Sequence, residues 1–237
     1  MLIVPSIFRK IYFMSVKLAV FDIAGTTVLD KNFVALAFQN AFAKHGIEIR
    51  PDDATPLMGY HKPLAIQMML EKLEIEPDAE FIEEIHADFE NEMVDFYEYD
   101  PAVQPMPGAE DVFVQLKEKG IRIALNTGFS KRIADTIVGR FQWREKGLVD
   151  DYIGSNEVAM GRPHSYMIEE LMKRADVENA GEVIKIGDTT VDIEEGKNAG
   201  CLYVIGVTTG ACSQPELAEM EPTHILQQLS DLPAILQ

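Results

Sequence analysis

Four short apolar runs recur along the chain: VKLAVFD at 16–22, IRIAL at 121–125, VIKI at 183–186 and LYVIGV at 202–207. Each has the length and β-branched content of a buried strand. Helical spacing separates them at 108–118, 130–142, 164–175 and 192–199. Buried strands alternating with helices predict an α/β fold, a Rossmann-like doubly wound parallel sheet with helices on both faces. Three of the runs end in polar, chemically useful residues: Asp22, Asn126-Thr127 and Asp188. In such sheets ligands bind in the crevice beyond the carboxyl ends of the strands.

A long stretch without strand character follows the first run. Residues 33–45, 63–73 and 78–98 have three- and four-residue apolar spacing, and Pro101, Pro105, Pro107 and Gly108 mark the exit. The expected organisation is a core of residues 1–31 and 104–237 interrupted by an α-helical cap domain at 32–103. The acidic residues between 71 and 100 read as a solvated helix face. Residues 1–14, MLIVPSIFRKIYFM, lack the order of a secretory signal because Arg9 and Lys10 interrupt the apolar part. They are taken as an uninformative extension from an upstream start codon.

Thirty-nine acidic against 21 basic residues give a net charge of −18. Such a chain is repelled by nucleic acid and by anionic lipid, so neither is expected as a partner. Any anionic substrate needs a locally positive pocket. Cys201 and Cys212 offer no disulfide framework and no metal-ligand spacing, which fits a reducing cytoplasm. His45, His86, His164 and His224 have no metal-site spacing, and Trp143 reads as a packing residue.

Four polar elements follow the strands or open helices. Asp22-Ile23-Ala24-Gly25-Thr26-Thr27 puts a carboxylate at a strand end, before a glycine turn whose amides suit an anion. Asn126-Thr127-Gly128 offers a hydroxyl and free amides to a phosphate oxygen, with Ser130 as helix cap. Gly161-Arg162-Pro163 supplies a lone cation. Asp188 and Asp192, four apart at a helix start, face one point; with Asp22 they form a hard oxygen site suited to Mg²⁺.

In this order, from Val16 to about Gly210, these elements resemble the haloacid dehalogenase superfamily, with the cap where that superfamily carries its C1-type helical insert. The resemblance implies that Asp22 attacks phosphorus to form an aspartyl-phosphate. It implies Mg²⁺ held by Asp22, the Ala24 carbonyl and Asp188, with Asp192 in support. Thr127 and Arg162 would hold the phosphoryl oxygens, with Thr26 and Gly128 also at the phosphate.

Most phosphatases of that superfamily carry an acid two residues after the nucleophile. Here Ala24 stands there and can protonate no leaving group. The string Asp22-Ile-Ala24-Gly25-Thr26-Thr27-Val28 resembles phosphonoacetaldehyde hydrolases and their phosphonatase-like relatives, which share that alanine and an arginine in the third motif. There a cap lysine separated from Met-Gly by two residues forms a Schiff base with the substrate aldehyde. Met58-Gly59-Tyr60-His61-Lys62 has that spacing, making Lys62 the candidate Schiff-base lysine and Met58 and His61 substrate neighbours. A protonated imine is an electron sink, so a C–P bond breaks to an enamine and no alkoxide needs a proton. Two positions depart from that pattern: Ala65 replaces a histidine and Asn32 a cysteine. The expected activity is cleavage of a 2-oxoalkylphosphonate. The alternatives are hydrolysis or mutase chemistry on a small phosphate ester, and a non-catalytic regulatory protein. Apolar cap helices such as 33–45 are a candidate homodimer contact.

Overall fold

The computed structural model describes residues 15–76 and 78–236; the leading residues 1–14 lie outside it. Six parallel strands form one sheet: β1 Leu18–Phe21, β2 Arg122–Thr127, β3 Asp151–Gly154, β4 Val183–Gly187, β5 Tyr203–Val207 and β6 His224–Leu226. Their spatial order is β3-β2-β1-β4-β5-β6. The chain leaves β1 toward β2 and later returns to its other side with β4. The switch point therefore lies between the ends of β1 and β4, where an open sheet forms its crevice.

Both faces are covered. Leu18 and Val20 pack one way, against Met167, Ile168 and Leu171, while Ala19 and Phe21 join the opposite layer with Val112, Phe113 and Trp143. Burial on both sides explains why these strands read as continuous apolar runs. Trp143 packs as expected, edge-on to Phe113 at 5.6 Å, and its indole N–H donates to Glu110 at 2.8 Å.

The helices are α1 Phe33–Lys44, α2 Pro51–Ala54, α3 Lys62–Lys72, α4 Ala79–Tyr99, α5 Ala109–Glu118, α6 Lys131–Phe141, α7 Tyr166–Arg174, α8 Thr190–Ala199, α9 Gln214–Glu219 and α10 Leu232–Ile235. Helices α1 to α4 form the insert between β1 and β2. The chain enters and leaves it side by side: the Leu29 amide donates to Gln104 O and the Met106 amide to Thr27 O. Helix α1 buries Val34, Phe38, Ala41 and Phe42 within its own chain. No helix among the described residues is long and apolar enough to cross a membrane.

Several expectations shift. Strands β3 and β6 escaped prediction because DYIG and HIL are too short to show a pattern. Asn126 and Thr127 belong to β2 itself, because the sheet pairs them with Ile153 and Gly154. Helix α8 begins two residues early, which places Asp192 in its first turn rather than at its start. Ser130 does not cap α6 with its side chain; its hydroxyl binds Glu90, and Asn156 accepts from the Lys131 amide instead.

Candidate active site

Asp22 follows β1, and its amide donates to Ile186 O of β4 at 2.9 Å, fixing it over the switch point. The turn behind it closes through the amides of Thr27 and Val28 on Ile23 O. Gly25, at φ 85°, makes the sharp bend, and a side chain there would strike Asp188. Asp22, Asp188 and Asp192 each offer an oxygen within 4.8 Å of the others, all buried.

Three carboxylates so close repel one another, and the protein answers with two buried cations. Arg162 is fully buried. Its Nη1 donates to Asp22 Oδ1 at 2.6 Å and lies 3.0 Å from Asp192 Oδ1; its Nε donates to Glu195 at 3.0 Å. Its Nη2 donates to Asn126 O and Oδ1 at 2.8 and 2.7 Å. Lys185 Nζ meets Asp192 at 2.9 Å, Glu195 at 3.2 Å and Asn126 Oδ1 at 2.6 Å.

The carboxylates divide accordingly. Burial drives Asp22 up to about 6, more than the Arg162 guanidinium pulls it down. Asp188 is pushed well above the usual range by burial, then by the charges of Asp22 and Asp192. Burial also acts on Asp192, but Arg162 and Lys185 outweigh it and hold that carboxyl below its ordinary value. A site whose carboxylates resist ionising together, and whose donors are all oxygens, suits a divalent cation. Asp192 sits deepest among the cations, with Oδ1 at 3.0 Å from Arg162 and 2.9 Å from Lys185 yet without a hydrogen bond, and Oδ2 accepting from the amide and hydroxyl of Thr189. Asp22, Asp188 and Asp192 together could hold Mg²⁺, with Asp192 in the supporting place behind the other two.

A cavity faces this cluster. Asp22, Ala24, Asp30, Met58, Lys62, Thr127, Gly128 and Asp188 are among the residues lining it, so core and insert meet there. A helical lysine is ordinarily a surface charge; Lys62, the first residue of α3, is instead only 2% exposed. Its ammonium stands 5.4 Å from the Phe129 ring and 6.0 Å from Phe89, and donates to Tyr60 O at 3.3 Å. Burial lowers its pKa to about 8, with Arg162 acting in the same direction and Asp22 and Asp30 opposing.

Four expected site residues stand outside the cavity lining. Thr26 does not face the phosphate position; it is fully buried and its hydroxyl donates to Asp188 Oδ1 at 3.0 Å. Arg162, expected at the phosphoryl oxygens, instead donates to Asp22, Glu195 and Asn126. His61 precedes α3 and packs toward Gly161, outside the cavity lining. Asp192 lies behind the lining, beside Arg162 and Lys185. The residues that sequence reasoning missed are Lys185, Glu195 and Asp30. A lysine inside an apolar strand, and an acid three residues after Asp192 on one helix, were the available signals for the first two.

Comparison with known proteins agrees with this geometry. The profile of a family described as haloacid dehalogenase-like hydrolase matches residues 19–206. Phosphonoacetaldehyde hydrolase of Bacillus mycoides (strain KBAB4) is 30% identical over 91% of this chain and 86% of its own. The structure of a phosphonoacetaldehyde hydrolase-like protein from Oleispira antarctica superposes with a TM-score of 0.81 at 24% identity, covering 93% of this chain and 91% of that one. A putative beta-phosphoglucomutase from Bacteroides vulgatus shares the fold, with a TM-score of 0.79 at 19% identity over 93% and 87% of the two chains. The chain is a hydrolase of the haloacid dehalogenase-like family, in its phosphonatase-like branch.

Proposed function

We propose that this enzyme hydrolyses the C–P bond of a small 2-oxoalkylphosphonate through an imine on Lys62 and an aspartyl-phosphate on Asp22. The observation that carries this reading is the buried amine of Lys62 in the same cavity as the nucleophile, opposite an alanine where a proton donor would otherwise stand. Burial favours the neutral amine, the form that attacks a carbonyl. Amine addition and loss of water convert the carbonyl beside the C–P bond to an iminium. Asp22 Oδ2, which accepts no hydrogen bond among the described residues, then attacks phosphorus. The C–P electrons enter the iminium and form an enamine. Water later cleaves the aspartyl-phosphate, and the enamine is protonated at carbon and hydrolysed.

Arg162 orients Asp22 by holding its other oxygen. Thr127 and the Gly128 segment border the phosphonate end. Mg²⁺, held by Asp22, Asp188 and the Ala24 carbonyl, would neutralise charge on the phosphonate oxygens. Two free thiols, Cys201 and Cys212, support the reducing cytoplasm as the working compartment.

Borohydride reduction in the presence of phosphonoacetaldehyde tests the reading. A stable adduct at Lys62 is expected, with phosphate release lost in Lys62→Ala. Turnover of simple phosphate esters that survives Lys62→Ala, with no adduct, would assign the site to ester hydrolysis instead.

A further inference from the structure

The cavity that holds Asp22 and Lys62 carries another carboxyl that the chemistry above leaves unused. Asp30 lines it beside Val34, Met58 and Phe129. Its Oδ1 accepts from the amides of Phe33 at 2.8 Å and Val34 at 3.4 Å, and so caps α1. A cap needs one acceptor oxygen. Oδ2 accepts no hydrogen bond among the described residues. Asp30 and Lys62 sense each other's charge, yet they form no ion pair within 4.0 Å. Both line the same cavity, so a carbonyl bound to Lys62 is placed in the space that Asp30 borders.

The other acids of the lining, Asp22 and Asp188, serve the phosphorus end. His61 and His86 feel the charge of Lys62 but do not line the cavity. Ala65, one turn along α3 from Lys62, is buried and apolar. Making and hydrolysing an imine both require proton transfer at the carbonyl oxygen, and Asp30 is the remaining group that can supply it.

We propose that Asp30 is the acid–base catalyst that loads and unloads the Lys62 imine, an assignment that rests on the Schiff-base reading above. The neutral amine adds to the carbonyl carbon, and a proton moves from nitrogen to oxygen to give the carbinolamine. The Asp30 carboxylic acid then gives its proton to that oxygen as the C–O bond breaks and the nitrogen lone pair forms C=N. Water leaves, and the iminium stays beside the Asp30 carboxylate as counter-ion. After C–P cleavage the enamine takes a proton at carbon from solvent. The Asp30 carboxylate then removes a proton from the water that adds to the iminium, which restores the acid. Burial raises the Asp30 pKa above its ordinary 3.8, against the pull of the two amides, and so favours the protonated form that starts the cycle.

Asp30→Asn and Asp30→Ser both keep an acceptor for the helix cap, and neither supplies an acid. In the full chain, borohydride trapping with phosphonoacetaldehyde is followed by mass spectrometry at Lys62, beside phosphate release and binding of beryllium fluoride with Mg²⁺. Trapping and phosphate release should each fall about 10²-fold in both variants, with beryllium fluoride affinity within about twofold of the parent. Trapping at the parent rate in Asp30→Asn overturns the role of Asp30 and leaves Lys62 standing. Loss of beryllium fluoride binding in both variants also overturns it, because the role is then structural. No adduct in the parent protein overturns both assignments together.

Discussion

Lys62 joins stability to function at a single side chain. Its charge sits between two aromatic rings with one carbonyl as hydrogen-bond partner, and cation–π contact compensates only part of the lost hydration. Its pKa falls from an ordinary 10.5 to about 8, a difference of about 3 kcal/mol between folded and unfolded chains. The folded value is the lower one, so the fold disfavours the charged form. That penalty is complete below pH 8 and shrinks as pH rises from 8 toward 10.5. Lys62→Met should therefore be the more stable protein at pH 7, by up to about 3 kcal/mol, with the advantage fading by pH 10. Urea unfolding at the two pH values measures this; equal midpoints at pH 7 would contradict it. The same titration governs chemistry: in Asp30→Asn, which removes the opposing acid, kcat/KM for a phosphonate should climb about tenfold per pH unit between 6 and 8 and level above it.

At the scale of elements, the insert is fastened to the core along α4 and α6. Arg132 donates to Glu90 at 3.1 Å and to Asn91 at 2.8 Å, while Arg140 donates to Tyr97 O and Asp100 O at 2.8 and 2.7 Å. The acidic residues of α4 are thus not solely a solvated face. Closer to the chemistry, the loop at 58–61 lies directly on the Gly128 turn: a Cβ on Gly128 would come 2.5 Å from Gly59 O. Backbone on backbone cannot give way by a rotamer change. Gly128→Ala should push this loop outward and carry Lys62 with it, lowering phosphonate turnover about 10²-fold. Beryllium fluoride binding at Asp22 should persist, as isothermal titration would report. Parent-level turnover in this variant would show that the loop can move without cost.

At the scale of the molecule, a strongly acidic chain concentrates two cations where its carboxylates converge. Arg162 and Lys185 hold Asp22, Asp192 and Glu195 in one buried network. Removing one partner from such a network leaves buried charge uncompensated and typically costs 3–5 kcal/mol. Lys185→Met should lower stability by about that amount, although Lys185 touches no part of the cavity lining. Thermal unfolding without Mg²⁺ reads this out, and a loss below about 1 kcal/mol would show that Arg162 alone balances the cluster.

The sequence by itself determined the parallel α/β class, the four central strands, the helical insert and the place of the candidate nucleophile, Asp22, at the end of β1. Those features are local: apolar periodicity, glycine turns and polar strand ends are written over a few neighbouring residues. Only the tertiary structure decided that Arg162 turns inward onto Asp22, that Thr26 braces Asp188, and that Asp30 shares a cavity with Lys62. Those pairs are distant along the chain, and a side chain's choice between substrate and protein partner depends on which donors the fold brings within reach. Edge strands β3 and β6 were hidden for a related reason: segments so short owe their conformation to the strand beside them.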